Sequence, residues 1–145
     1  MKNILVSIDF KNDEQLLLDQ AVQFAKAFSA KIWLLHIGAP DPDFVGYSVG
    51  PQYIRDAKAE GLREEHHSLQ HYSELMHAQA VKAEALLIQG ATVESILQEA
   101  QKLKADLIII GHHEHSILYK IFQESVSSEV MKKSKIPVLM VPLEN

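Results

Sequence analysis

The 145-residue chain contains no cysteine. Disulfides, thiolate metal sites and cysteine nucleophiles are therefore excluded, an absence that fits a reducing compartment. Glycine and proline are scarce, at 6 and 5 residues, which rules out collagen-like and low-complexity chains. Long hydrophobic runs are missing too. A stretch such as Leu107-Ile108-Ile109-Ile110 is far shorter than the roughly 20 residues of a membrane span. Met1-Lys2-Asn3-Ile4 runs straight into a strand-like segment that Asp9 cuts short, so no secretory leader is expected. Positive charge is in the minority, with 14 Lys and Arg against 19 Asp and Glu and a net charge of -5. The only dense basic run, Lys132-Lys133-Ser134-Lys135, is a poor substrate for the counterion release that drives nucleic-acid binding. Enzyme signatures are absent as well: there is no Gly-x4-Gly-Lys-Ser/Thr loop, no Gly-x-Ser-x-Gly elbow and no His-Glu-x-x-His. No nucleophile–base pair is legible. The expectation is a cytoplasmic, non-enzymatic protein with neither nucleic acid nor membrane as a partner.

What is present is a globular composition, 47% hydrophobic and 23% charged. One domain over residues 1–145 is expected, since a chain of this size buries roughly 70% of its unfolded surface and needs no staples. Five apolar runs stand out: Ile4 to Ile8, Ile32 to Ile37, Ala85 to Ile88, Leu107 to Ile110 and Val138 to Val141. Most do not alternate with polar residues, the mark of strands buried on both faces of a parallel sheet. Between them lie helical patterns. Leu17, Ala21, Phe24 and Phe28 share one face behind an Asn12-x-x-Gln15 capping box. Val93, Ile96, Leu97, Ala100 and Leu103 form a second stripe with Thr92 as its N-cap. A long polar helix is expected over 52–80, with Leu62, Leu69, Tyr72 and Met76 as its narrow apolar stripe and Gly61 as a weak point. Residues 38–51 hold three glycines and three prolines and mark the one long loop.

This alternation predicts an α/β domain, doubly wound, with a five-stranded parallel sheet and helices on both faces. Ligands of such sheets gather outside the carboxyl ends of the strands. The residues to inspect are therefore Asp9-Phe10, Ile37-Gly38, Gln89-Gly90 and Gly111-His112-His113. The final run, Val138, Leu139, Met140 and Val141 between Pro137 and Pro142, reads as a sheet-edge strand and a seam between two copies of the chain. Eight histidines raise the question of metal. His67 and His71 are spaced to face one side of a helix, with His66 and His77 near, but no third ligand is specified, and solvated histidines on a polar helix explain them better. His112, His113 and His115 cluster at a strand end, where His113 is a candidate pH-sensitive contact. Asp106 reads as a turn residue and Glu129 as part of a solvated helix face.

Several segments together resemble the universal stress protein family. Asn3-Ile4-Leu5-Val6-Ser7-Ile8-Asp9 is similar to that family's first strand, and Trp33-Leu34-Leu35-His36-Ile37 to its second. Ala105 to His113 is similar to its fourth strand and the following loop; Ser125 to Val130 and Ile136 to Pro142 resemble its last helix and strand. The resemblance implies an adenine-nucleotide alpha-hydrolase-like fold with strand order 3-2-1-4-5, and a homodimer through the fifth strands. It also implies ATP or AMP as the ligand to consider, with Asp9, Ile37, Gly111 and Ser125 as contacts. The family's nucleotide binders carry Gly-x2-Gly-x9-Gly-Ser/Thr after the fourth strand, where glycines admit phosphate to backbone N–H groups. Here Gly111 and Ser125 stand at the ends of that signature, while Glu114 and Glu124 replace two glycines. Two carboxylates facing a polyphosphate oppose it. The chain is thus closest to the branch typified by universal stress protein A, which lacks the glycine signature. Two readings follow: a stress-response homodimer with weak or absent ATP binding, or an adenine-nucleotide-binding regulatory module with at most slow hydrolysis, in which an adenosine or monophosphate site persists without a triphosphate clamp. A metal- or pH-responsive sensor built on the histidines is the third.

Overall fold

Ile4, Leu5 and Val6 are wholly shielded from solvent, as expected of a strand with helices on either side. They belong to β1 (Asn3–Ser7), and the chain continues through α1 (Glu14–Phe28), β2 (Lys31–Gly38), α2 (Gln52–His77), β3 (Ala83–Gln89), α3 (Thr92–Lys102), β4 (Leu107–His113), α4 (Val126–Lys133) and β5 (Val138–Leu143). The computed structural model describes residues 1–11, 14–38, 52–113 and 125–143, with backbone alone for 52–58. The strands form one parallel sheet in the order β3-β2-β1-β4-β5, as the resemblance implies. After β1 the chain winds outward to β2 and β3, then crosses to β4 and β5. The strand order reverses between β1 and β4, and a crevice opens there.

The alternation of side chains along each strand divides the core into two layers. Ile4, Val6 and Ile8 pack with Leu17, Ala21 and Val22 of α1 and Leu69 and Met76 of α2. Leu5, Leu35 and Ile108 face the other way, onto Val93, Ile96 and Ala100 of α3 and Val130 of α4. Strand β5 contributes to both layers, Val141 and Leu143 to the first and Val138 and Met140 to the second.

Four local expectations need correction. The buried stripe of α1 runs through Leu17, Leu18, Ala21, Val22 and Ala25, while Phe28 is half exposed and stacks on Phe24. Thr92 is the first residue of α3 and not its cap. Ala91 caps it, extended at φ -69° and ψ 128°, without a side-chain hydrogen bond. Helix α2 ends at His77, three residues early, and β4 extends through His113. Of the Asn12-x-x-Gln15 box, Asn12 lies outside the described residues, and Gln15 donates to Asp19 at 2.7 Å.

Three helices end the same way. Ser29, Ala80 and Lys104 have φ of 53°, 64° and 53°. The next N–H in each case reaches back five residues: Ala30 to the carbonyl of Ala25 (2.9 Å), Val81 to Met76 (3.0 Å) and Ala105 to Ala100 (2.9 Å). These are left-handed helix stops built without glycine. Ala30, Val81 and Ala105 are then buried, so each stop turns the chain into the core. At the same end of the sheet the Asp106 carboxylate accepts from the backbone N–H groups of Lys2 and Asn3 (2.7 and 3.0 Å). These two bonds hold its carboxyl below the ordinary carboxylate range.

Candidate functional site

At the other end of the sheet the carboxyl ends of β1, β2 and β4 surround a cavity of about 510 Å³. That volume lies within the range of small-molecule sites. All four residues expected at a binding site stand in its wall: Asp9 after β1, Ile37 on β2, Gly111 on β4 and Ser125 before α4. Glu114 and Glu124 lie outside the described residues.

Asp9 does two structural things. One carboxylate oxygen accepts from the Lys11 N–H at 3.0 Å, closing an Asx turn, and the other lies 3.3 Å from Nε2 of His113. Asp9 thus closes a turn and at the same time stands in the cavity wall. Ser125 likewise caps α4, accepting from the Ser128 N–H at 3.2 Å. It also joins a chain of polar groups. Nδ1 of His112 lies 2.9 Å from Oγ of Ser127, which is 3.1 Å from Oγ of Ser125, and that hydroxyl donates to Ser128 at 2.8 Å. Ser127 is buried, so its hydroxyl is held as a structural partner of His112.

A Cβ at Gly111 would meet the far end of the Leu143 side chain from β5, a flexible neighbour that also lines the cavity and would have to turn aside for a larger residue.

Several of the wall residues that sequence reasoning missed come from the helices. Glu14 and Leu17 of α1, and Leu62 and Glu65 of α2, join the wall, as do Lys11 and His36. Nδ1–H of His36 donates to the carbonyl of Ile8 at 2.6 Å, and Nε2 contacts the Glu65 carboxylate. A carbonyl only accepts, so Nδ1 carries hydrogen, and the second contact needs a hydrogen between imidazole and carboxylate. The pair thereby ties α2 to the ends of β1 and β2. Phe10 follows Asp9 at φ 60°, a left-handed conformation rare for a bulky residue. Its ring sits edge-on to His36 at 4.8 Å and stacks near Tyr72 at 6.4 Å. Burial, and then the charge of Glu14, push the Tyr72 phenol above its ordinary value. The only sequence signal for this cluster is helical spacing on α2, which puts Glu65, Leu69, Tyr72 and Met76 on one face.

His67 and His71 are exposed on α2. Among the described residues no group of three or more His, Cys, Asp or Glu is arranged to hold a metal ion. No helix among them is long and apolar enough to cross a membrane.

A doubly wound parallel sheet with a walled cavity at its switch point defines a class of small-ligand α/β domains. Within that class the assignment is specific: the model of the universal stress protein family matches residues 1–142, and the chain belongs to that family. A universal stress protein of Thermus aquaticus is 30% identical over 142 residues, covering 97% of this chain and 98% of that one. Universal stress protein A of Salmonella typhi is 26% identical over 148 residues, covering 99% and 96%. Among solved structures, hypothetical protein MJ0577 superimposes with a TM-score of 0.80 at 24% identity, over 99% of this chain and 97% of that one, a likeness of fold. A universal stress protein solved in complex with cAMP has a TM-score of 0.66 at 25% identity, over 97% and 96%.

Proposed function

We propose that this universal stress protein is a non-enzymatic binding module for an adenine nucleotide, with weak affinity for ATP. One observation carries the reading: Asp9, Ile37, Gly111 and Ser125, which come from four separate stretches of chain, converge on a single cavity of about 510 Å³. The cAMP complex of a relative supports the ligand class. The buried Ser127 hydroxyl beside His112 supports a structural role for that pair rather than a nucleophilic one. Isothermal titration with AMP, and separately with ATP and magnesium, tests the reading. Saturable heat from AMP at millimolar ligand or below is expected, and silence from both would overturn it.

A second role rests on a different part of the molecule. Strand β5 occupies one edge of the sheet, with Val138, Leu139 and Met140 half-buried. An apolar edge strand pairs readily with another edge. We read it as the seam of a homodimer through which the protein presents itself to other proteins in the stress response. Leu139→Lys should then favour monomers in light scattering, and an unchanged dimer mass would count against that seam.

A further inference from the structure

The charges in the cavity wall bear on which adenine compound fits. Among the described residues, Asp9, Glu14 and Glu65 bring three carboxylates to the wall and Lys11 one ammonium; His36 and His113 are the imidazoles. The hydrogen between His36 and Glu65 makes that pair neutral as a unit, so the lining carries -1 with the His113 imidazole neutral and zero with it protonated. It is not positive in any protonation state of the two histidines. The imidazoles are moreover already turned toward carboxylates, His113 to Asp9 and His36 to Glu65. Glu14 makes its field felt beyond its own helix, since it is one of the two causes that raise the Tyr72 phenol.

Ionised carboxylates only accept hydrogen bonds. A ligand complementary to such a wall offers donors, the hydroxyls of a sugar and the exocyclic amine of a base. A triphosphate offers only acceptors and several negative charges, which are repelled here and poorly screened inside a cleft. We infer that the cavity selects an uncharged nucleoside, adenosine in the first instance, over the polyphosphate forms of the same base, with Glu14 as the residue that chiefly sets this preference. The inference rests on the adenine-ligand reading above and adds the charge class of the ligand to it.

The test is a set of titrations at low ionic strength with adenosine, AMP and magnesium-free ATP on the wild-type protein, on Glu14→Gln and on Glu65→Gln. Glu14→Gln is a near-isosteric change at the first turn of α1 and leaves the His36 contact in place; Glu65→Gln keeps a side chain of the same shape beside His36. In the wild type adenosine should bind at least about tenfold more tightly than ATP, with AMP between them. Glu14→Gln should narrow that ratio by about threefold or more, mainly by improving ATP; Glu65→Gln, which opens a neutral pair, should narrow it less, and raising the salt concentration should narrow it too. ATP binding as tightly as adenosine to the wild type would overturn the selectivity and leave the adenine-ligand reading standing. A ratio narrowed no more by Glu14→Gln than by Glu65→Gln would overturn the assignment to Glu14. Absence of heat from all three ligands would remove the adenine reading itself, and the inference with it.

Discussion

The two ends of the sheet use the same backbone conformation for opposite purposes. At the amino ends of the strands, Ser29, Ala80 and Lys104 adopt positive φ to stop three helices, and each hands the chain to a buried residue just ahead of the next strand. Side chains at these stops are incidental, and Asp106 fastens the neighbouring backbone of Lys2 and Asn3. At the carboxyl ends, Phe10 adopts positive φ where no helix ends, and its side chain is the point. The ring braces His36, which in turn holds Glu65 of α2 at the cavity. One end of the sheet spends its unusual backbone on closing turns. The other uses it to place a ring beside a binding site.

The largest effect is expected where the side chain matters. Phe10→Gly relieves the backbone but removes both ring contacts, and should lower stability by about 1–2 kcal/mol net in urea unfolding. It should also loosen the His36–Glu65 contact and weaken ligand binding. A stability gain at Phe10 would show that the two ends do not differ. At the helix stops the sign reverses. Ser29→Gly, Ala80→Gly and Lys104→Gly should each raise stability by about 1 kcal/mol, because glycine adopts this conformation without steric cost. Ligand affinity should not change, because all three lie at the opposite end of the sheet from the cavity. A loss of stability at any of them would mean that the replaced side chain contributes contacts that outweigh its backbone strain.

The smallest effect concerns Asp106, which is solvent-exposed. Its folded-state pKa lies below the ordinary aspartate value, so the unfolded chain takes up its proton first as pH falls. The stability it contributes is present above about pH 4 and is lost as pH falls through the lower folded value. Wild type should therefore exceed Asp106→Asn in urea midpoint near neutral pH, and the gap should close in acid. A gap that persisted undiminished at pH 2 would assign the effect to geometry rather than charge.

How much of this was legible in the sequence differs between the two ends as well. The five strands were readable because both faces of the sheet are covered, which leaves unbroken apolar runs such as Leu107 to Ile110. The strand order came from family resemblance, since periodicity alone does not order strands. The helix stops were invisible because glycine, the usual signal, is absent from all three; hence the end of α2 was placed at Ala80 when that residue is the stop itself. The Thr92 cap was misplaced because a threonine before an apolar stripe looks the same at either of two adjacent positions, and only backbone angles separate them. Of the cavity wall, the four strand-end and cap residues were legible and the helix contributions were not. Glu14 and Glu65 are two of many glutamates in this sequence, and nothing in their local spacing tells which of them is turned inward.

Histidines happen to mark both ends of the sheet, which makes them the most direct test. His36 and His113 line the cavity, whereas Nε2 of His77 lies 2.9 Å from the carbonyl of Ala83 at the amino end. Imidazole resonances should be assigned by single substitutions and followed by NMR as adenosine is added. The account predicts saturable shifts for His36 and His113 at one common affinity, with His77 unmoved. Shifts confined to His77 or to the exposed His67 and His71, or no shift at millimolar adenosine, would contradict the claim that the carboxyl-end cavity is the binding site.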